Sequence, residues 1–480
     1  MRMTAQQAIE ALELYTNRLH MRSRLQVHVV QLLGNNLTIL DCRIVESRFK
    51  PFRNPESWHK ASLNVYYELD VKGFARPHIL YAHVFLHGRS AAEYRECCAQ
   101  AKSNSVPQHV PELDMVVWRF PLDPAMDQLS TFWNMDWPLA NLPVGKIPHN
   151  WAEPYTGLGR VDRRVIKYSP ERSCIIRFDL PQRVGTQSGL AHALYAKVYA
   201  GEDGALAYER QRFFNNPPPD NLGLAIHTAP ALAYDQSLRI FWQGEAAGDS
   251  LESVLAHGNE APYLDQVGRG LASVHASGLG GTSVVKLEHR VFECSKKIAK
   301  LVPAFSSHAT QLKSLSQMLE RAVATYTPSV TAEDPVTLYG DFHPRQMLIA
   351  DGKVCFLDFD SMVRGDPESD LAEFFVALLD LGLQPDRLRE AVAHILTAYQ
   401  RDATRPICHE LLRLYARIEY MEHAYRLFLR LDPGWRETFQ NALDRFPQLE
   451  NIFPDRRRGI YTVTNKQTRD RRERQTPVAK

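Results

Sequence analysis

The chain has 480 residues, too many for one ordinary domain at about 150 residues each, so roughly three units are expected. Hydrophobic residues make up 44% and charged residues 23%, which excludes a disordered chain and leaves enough apolar material for buried cores. The 57 Lys and Arg against 55 Asp and Glu give a formal charge of +2, which excludes a polyanion binder working by bulk charge.

The opening segment, MRMTAQQAIEALELYTNRLH, lacks the apolar core of a signal peptide and reads as one amphipathic helix. Residues 1–135 then mix strand and helix signals, with strands expected in SLNVYYELDV and HILYAHVFL from their β-branched and aromatic content. Residues 136–155 are punctuated by Trp and Pro and read as a linker. A second strand-rich stretch, 156–250, contains RVIKYS, SCIIRFDL, ALYAKVYA and LRIFWQ. From 251 to 454 apolar residues recur at three- and four-residue spacing, as in LDQVGRGLASVHASGL and ELLRLYARIEYMEHAYRLFLRL, and helices are expected. Residues 455–480 carry nine Lys and Arg and three Asp and Glu, a net of +6 that leaves about −4 for the rest. This tail reads as a disordered, solubilising extension; without interleaved aromatics, nucleic-acid binding is not expected of it. No apolar run approaches the ~18 residues of a membrane span, and no membrane partner is expected. Seven scattered cysteines without a CxxC point to reduced thiols and a cytoplasmic address.

An internal repeat links the two strand-rich stretches. Residues 79–96 align with 193–210 without a gap, with six identities in eighteen positions, and His83 falls opposite Lys197. Upstream, SLNVYYEL at 62–69 matches SCIIRFDL at 173–180 in pattern, and downstream the segment from Val116 resembles the one from Ile240. Three matches in the same order predict a duplicated sheet-and-helix unit.

The densest chemistry lies in 337–372, TLYGDFHPRQMLIADGKVCFLDFDSMVRGDPESDLA. Asp351-Gly352, the favoured dipeptide of a two-residue hairpin turn, joins two apolar runs. That turn sets Gln346 opposite Leu357 and Arg345 opposite Asp358, so Asp341, His343 and Gln346 gather beside Asp358 at the open end. Two carboxylates and an amide oxygen converging in this way suit Mg²⁺.

The segment resembles the signature of the aminoglycoside phosphotransferase/choline kinase family, relatives of the protein kinases. Tyr339-Gly340-Asp341-Phe342-His343-Pro344-Arg345-Gln346 fills the catalytic-loop pattern, Leu357-Asp358-Phe359 the metal-binding pattern, and Gly365-Asp366-Pro367 with Asp370-Leu371-Ala372 the third. The resemblance implies an α+β, bilobal protein-kinase-like fold, with a sheet-rich N-lobe at 156–250 and a helical C-lobe at 251–454. Residues 1–135 would be an extra, degenerate N-lobe-like α/β domain in front. It further implies a small-molecule kinase using ATP or GTP with Mg²⁺, with Asp341 serving the acceptor hydroxyl and Asp358 holding the metal. Gln346 stands where the family commonly has Asn, with the amide oxygen kept and one methylene added. Lys197 would contact the phosphates, with Glu209 on the following helix as its partner and Glu202 and Glu245 as alternatives. Gln243 and Glu245 sit in the hinge-like stretch that would meet the base, and the turn at Ser169-Pro170-Glu171-Arg172 could cover the phosphates without a glycine-rich loop. Glu410, Glu419 and Glu422 would suit a cationic acceptor if they are more than a solvated helix face. His83, a neutral imidazole at the lysine position, is expected to bind no phosphate, so residues 1–135 serve as a cap, a substrate-contacting module, a surface for a homo-oligomer or simple padding. The competing reading is a pseudokinase that senses nucleotide or scaffolds a partner through residues 1–135.

Overall fold

The computed structural model describes residues 3–30, 37–101, 105–135, 143, 161–180, 193–217, 226–246, 248–258, 261–326 and 335–453. The linker expected at 136–155, apart from residue 143, and the tail at 455–480 lie outside the described residues.

The single helix expected at the start is two, α1 (Ala5–Glu13) and α2 (Arg18–His28). The Thr4 hydroxyl and the Gln7 side chain cap the start of α1 reciprocally. The Asn17 side chain accepts the His20 N–H at 3.0 Å and starts α2 afresh. Apolar periodicity runs through this break, whereas the local Asn bond that causes it competes with helix continuation. After the two helices come β1 (Ile39–Lys50), β2 (Ser62–Val71), β3 (His78–Val84), α3 (Ser90–Gln100), β4 (Gln108–Val110), β5 (Met115–Arg119) and α4 (Asp127–Asn134). The strands form an antiparallel sheet in the order β1-β2-β3-β5-β4.

The second stretch repeats the plan. It contains β6 (Asp162–Ser169), β7 (Ser173–Asp179), β8 (Ala193–Tyr199), α5 (Asp203–Asn215), the short β9 (His227–Thr228), β10 (Ala231–Asp235) and β11 (Ile240–Gly244). Its sheet order is β6-β7-β8-β11-β10. In both units the helix falls between the third and fourth strands of the sheet, and the last strand lies inside the fourth. Register agrees as well: Val65 pairs Ala82 as Ile176 pairs Ala196, and His83 sits between Asn64 and Val116 as Lys197 sits between Ile175 and Phe241. The downstream alignment needs one correction. Trp118 pairs Tyr81, whereas Gln243 pairs Tyr195, so Trp118 corresponds to Gln243 and the similar-looking Trp242 lies on the opposite face. A shift of one residue exchanges the two faces of a strand.

The helical half contains α6 (Leu251–His257), α7 (Ala261–Ala276), α8 (Leu287–Leu301), α9 (Ala309–Tyr326), α10 (Glu368–Asp380), α11 (Pro385–Asp402), α12 (His409–Arg430) and α13 (Trp435–Arg445). Short strands carry the motif segment between α9 and α10: β12 (Val336–Leu338) pairs β15 (Val363–Gly365), and β13 (Met347–Ala350) pairs β14 (Lys353–Phe356). Among the described residues no helix is long and apolar enough to cross a membrane.

The two sheets stack through one apolar layer. Cys174, Ile176, Phe178, Leu194, Ala196, Val198, Ile240 and Trp242 from the second sheet meet Tyr66, Tyr81, Val116, Trp118 and α4. Phe132 of α4 stands edge-on to both Phe178 and Trp242, with ring centroids 5.9 Å away in each case. Each large apolar side chain buried here contributes about 1.5–3 kcal/mol, enough in sum to dock the domain firmly. The other face of the first sheet, including Val65, Tyr67, Leu80 and Ala82, packs into the core that holds α1, α2 and the helical half. Phe49 of β1 meets Phe428 of α12 edge-on at 5.4 Å, and Arg436 pairs with Glu13 at 2.7 Å. The extra domain thus touches the outer face of the second sheet and the far end of the helical lobe.

Candidate active site

The motif hairpin forms as its turn dipeptide dictates. Asp351 and Gly352 take φ of 51° and 74°, both left-handed, and Met347 pairs Phe356 while Ala350 pairs Lys353. At the open end the Leu357 N–H donates to the Gln346 carbonyl at 2.9 Å, the register expected from the spacing. The preceding loop turns at Gly340, whose φ is 84° and where a Cβ would lie 2.2 Å from the Ser361 carbonyl oxygen. Only glycine fits there. Buried Asp370, in the first turn of α10, then fixes the loop from below. Its carboxylate accepts the Tyr339 N–H at 2.6 Å and the Gly340 N–H at 3.0 Å, and faces His275 Nε2 at 2.9 Å.

This scaffold presents Asp341. Gln346 Nε2 donates to Asp341 Oδ2 at 2.8 Å, and His343 Nε2 lies 3.5 Å from Oδ1. Burial alone would raise the Asp341 pKa, yet it is lowered by His343 and Gln346, with help from Lys167 of β6. Asp341 is therefore an ionised acceptor at neutral pH.

Lys197 is buried on the inner face of the second sheet. Its ammonium bonds Asp358 Oδ1 at 2.9 Å and Asp360 Oδ2 at 2.6 Å. Tyr199 on the same strand face donates its hydroxyl to Asp360 Oδ1 at 2.9 Å. Burial pushes both carboxyls up. Lys197 outweighs it at Asp358, which is lowered, but not at Asp360, which ends raised to about 6. Asp358 itself has a φ of 64°, left-handed for a residue with a Cβ, at a cost of roughly 1–2 kcal/mol. Arg210 of α5 holds the strained loop: its guanidinium donates to the carbonyls of Phe359 at 3.0 Å, Asp360 at 2.7 Å and Met362 at 2.7 Å.

Beyond Asp341 opens a cavity of about 390 Å³ between the Asp341 loop, α10 and α12. Glu373 of α10 lines it. One of its oxygens accepts the Phe342 N–H at 3.0 Å, and burial together with the charges of Asp341 and Asp370 raises its pKa to about 7. Most other acids of the cavity are neutralised locally. Glu252 pairs with Arg345 at 2.9 Å, Asp380 with His423 at 3.2 Å, and Glu419 with Arg290. Glu422 is bound by Lys297 at 2.8 Å.

Several expected residues are placed differently from expectation. Glu209 does not meet Lys197: it faces solvent and pairs with Arg212 at 2.8 Å, while its neighbour Arg210 turns inward. The lysine's partners are the two acids of the Asp358–Asp360 loop instead. Glu202 precedes α5 on the surface. Glu245 bonds Arg177 at 2.8 Å, and Arg177 also donates to the Tyr195 hydroxyl at 2.8 Å. Arg177, Tyr195, Gln243 and Lys197 share one sheet face through direct pairing, with Lys197 toward the Asp358 end and Glu245 just past the other. Glu419 and Glu422 are not a solvated face, since both are partnered. His83 is not idle either. Its Nε2 lies 3.0 Å from Glu171 at the turn expected to cover the phosphates. Asp360, Arg210 and Glu373 were not singled out by the motif reading. The DFD repeat of Asp358 and Asp360 was the available signal for the first; nothing local marks the other two.

Among the described residues no group of three or more His, Cys, Asp or Glu could hold a metal by itself. Residues 222–411 match the model of the phosphotransferase enzyme family. The match spans 190 of the 480 residues and includes the segment that carries Asp341 and Asp358. The match supports a phosphotransferase acting on hydroxyl groups of small molecules. No curated protein matches the chain. Among solved structures it is similar to a choline kinase from Cryptosporidium parvum Iowa II, at 10% identity over 60% of this chain and 89% of that one, with a TM-score of 0.40. It is also similar to a thermostable mutant of the aminoglycoside phosphotransferase APH(4)-Ia, at 17% identity over 60% and 94%, with a TM-score of 0.40. A choline/ethanolamine kinase family protein from Mesorhizobium loti shares 13% identity over 57% and 84%, with a TM-score of 0.39.

Proposed function

We propose that the chain is a cytoplasmic kinase that transfers the γ-phosphate of ATP or GTP to a hydroxyl of a small molecule, with Mg²⁺ as the metal. The observation that carries this reading is the convergence of Lys197, Asp358 and Asp360 beside a loop that offers Asp341 to a cavity. Asp358, Asp360 and the amide oxygen of Gln346 are hard oxygen donors, and Mg²⁺ needs only one or two carboxylates when phosphates complete its shell. The chemistry of the donor set therefore fits the ion. When bound, the ion would neutralise developing charge on the phosphates and align them.

The chain's own residues divide the remaining work. Lys197 would exchange carboxylate contacts for phosphate oxygens. Arg210 would keep the Asp358–Asp360 loop in place while it does so. On the face shared with Lys197, Tyr195, Arg177 and Gln243 would meet the nucleoside. Asp341, ionised and steadied by Gln346, would accept the proton of an acceptor hydroxyl held in the cavity. Because Glu419 and Glu422 are already neutralised, a polycationic acceptor loses the support those acids offered, and a hydroxylated, sugar-like acceptor fits the cavity lining better.

A transfer screen tests the reading. Mg²⁺ with ATP or GTP is offered a panel of sugars, aminosugars, amino alcohols and hydroxy acids, and acceptor-dependent release of the nucleoside diphosphate is expected. Failure to bind either nucleotide in the presence of Mg²⁺ would refute it.

A further inference from the structure

The turn between β6 and β7 lies at the phosphate end of the second sheet. Ile175, just beyond it, pairs Lys197, and Lys167, just before it, is close enough for its charge to act on Asp341. The turn is closed by the Arg172 N–H donating to the Ser169 carbonyl at 3.1 Å. Glu171, its third residue, has a φ of 63°. A four-residue turn with positive φ at that position normally takes Gly or Asn.

What holds a glutamate there comes from the other repeat. The Glu171 N–H donates to Asp123 Oδ2 at 3.0 Å, and its carboxylate lies 3.0 Å from His83 Nε2. The Tyr81 hydroxyl also bonds that carboxylate. Asp123 is fully buried and accepts the Tyr168 hydroxyl from β6 at 2.7 Å, while its other oxygen accepts the Ala125 and Met126 N–H groups. Gln128 of α4 donates to the Tyr199 carbonyl at 2.6 Å, at the end of the lysine's own strand. A left-handed non-glycine residue persists where its surroundings over-determine it, and these bonds do so.

We propose that the first repeat has become a template that locks the phosphate-end turn of the second, so that His83, Tyr81 and Asp123 are positioning residues for nucleotide binding. The face of the first sheet that corresponds to the lysine face of the second is turned onto this hairpin, and its imidazole binds a carboxylate instead of a phosphate. A turn fixed before binding costs less order when the nucleotide arrives, which lowers the dissociation constant. This inference rests on the reading of Lys197 and Asp358 as the phosphate site, and its test separates the two.

The full-length protein is compared with Glu171→Gly and Glu171→Gln. Glycine relieves the positive φ but removes the carboxylate, whereas glutamine keeps a group that can bond His83. Expected for Glu171→Gly are an unchanged or raised thermal midpoint, faster hydrogen exchange of amides 171–173, and a severalfold weaker Kd for ATP or GTP with Mg²⁺ by calorimetry. Glu171→Gln should restore most of the exchange protection and affinity. Unchanged exchange in Glu171→Gly overturns the template whether or not nucleotide binds. Faster exchange with unchanged Kd in a wild-type protein that binds nucleotide overturns the positioning role. Slow wild-type exchange at 171–173 that is lost in Glu171→Gly, in a protein that binds neither nucleotide, would support the lock and sink the phosphate-site reading instead.

Discussion

Two copies of one architectural unit stack front to back in this protein, and they have diverged at the same strand position. In the second sheet Lys197 looks inward and meets Asp358 and Asp360 across the cleft. In the first sheet His83 occupies the equivalent register and meets Glu171 of its sister. Both pairs set a basic side chain against a carboxylate, yet only the first lies where the helical half supplies the loop of Asp341. The comparison teaches that this backbone plan carries no chemistry of its own. What matters is which surface its lysine face is given to cover, in agreement with the wider rule that function resides in sites grafted onto folds.

The strongest test of the contrast is at the helical-half loop that only the second unit faces. Asp341→Asn should leave nucleotide binding and thermal stability close to wild type while reducing transfer about 10²–10⁴-fold, the range typical of a lost general base. Near-normal turnover would remove Asp341 from the reaction. Next in size, Asp358→Ala should abolish the Mg²⁺-dependent part of nucleotide binding in calorimetry with and without the ion. Unaltered binding of the magnesium complex would show that the metal is held elsewhere.

The lysine and histidine positions can then be compared directly. Lys197→Ala should lower kcat/KM for nucleotide strongly, and it also leaves Asp358 and Asp360 facing each other without a buried cation. His83→Ala should raise only the nucleotide KM, and by less, because its effect passes through Glu171. Equal losses at both positions would make the first sheet part of the site proper; no loss at His83 would return it to packing.

The smallest expected effect concerns Glu373. Its pKa is raised to about 7, so the stability it contributes is fully present below the unfolded value near 4.3 and is lost as pH rises through 7. Glu373→Gln cannot ionise. The difference in thermal midpoint between variant and wild type should therefore grow in favour of the variant from pH 4.5 to 7.5. A difference that stays flat over that window would show the carboxyl to be ionised throughout.

Much of this was legible in the sequence, and the reason is local. The Asp351-Gly352 turn fixes a two-residue hairpin, and with it the placing of Gln346 beside Leu357 follows by counting. The strands of both repeats are alternating or apolar runs bounded by turn residues, and the gapless match of 79–96 with 193–210 carries register because side chains alternate strictly along a strand. The Gly340 bend and the Asp370 anchor belong to one closely spaced motif. Where local signals conflict, the reading slipped: periodicity predicted one helix at the start, while Asn17 caps a second.

The tertiary structure alone decided who meets whom. Lys197 and its two acids are more than 160 residues apart in sequence, and Arg210 reaches a loop about 150 residues on. Their pairing depends on how α5 is rotated, which one residue of helical phase turns from Glu209 to Arg210. Glu419 and Glu422 looked like a solvated acidic face because the cations that neutralise them, Arg290 and Lys297, arrive on α8, a different helix. Glu373 became an acid of raised pKa only through burial beside Asp341. The lock on Glu171 likewise needs two sheets stacked face to face, and no spacing within either repeat encodes which face will be covered.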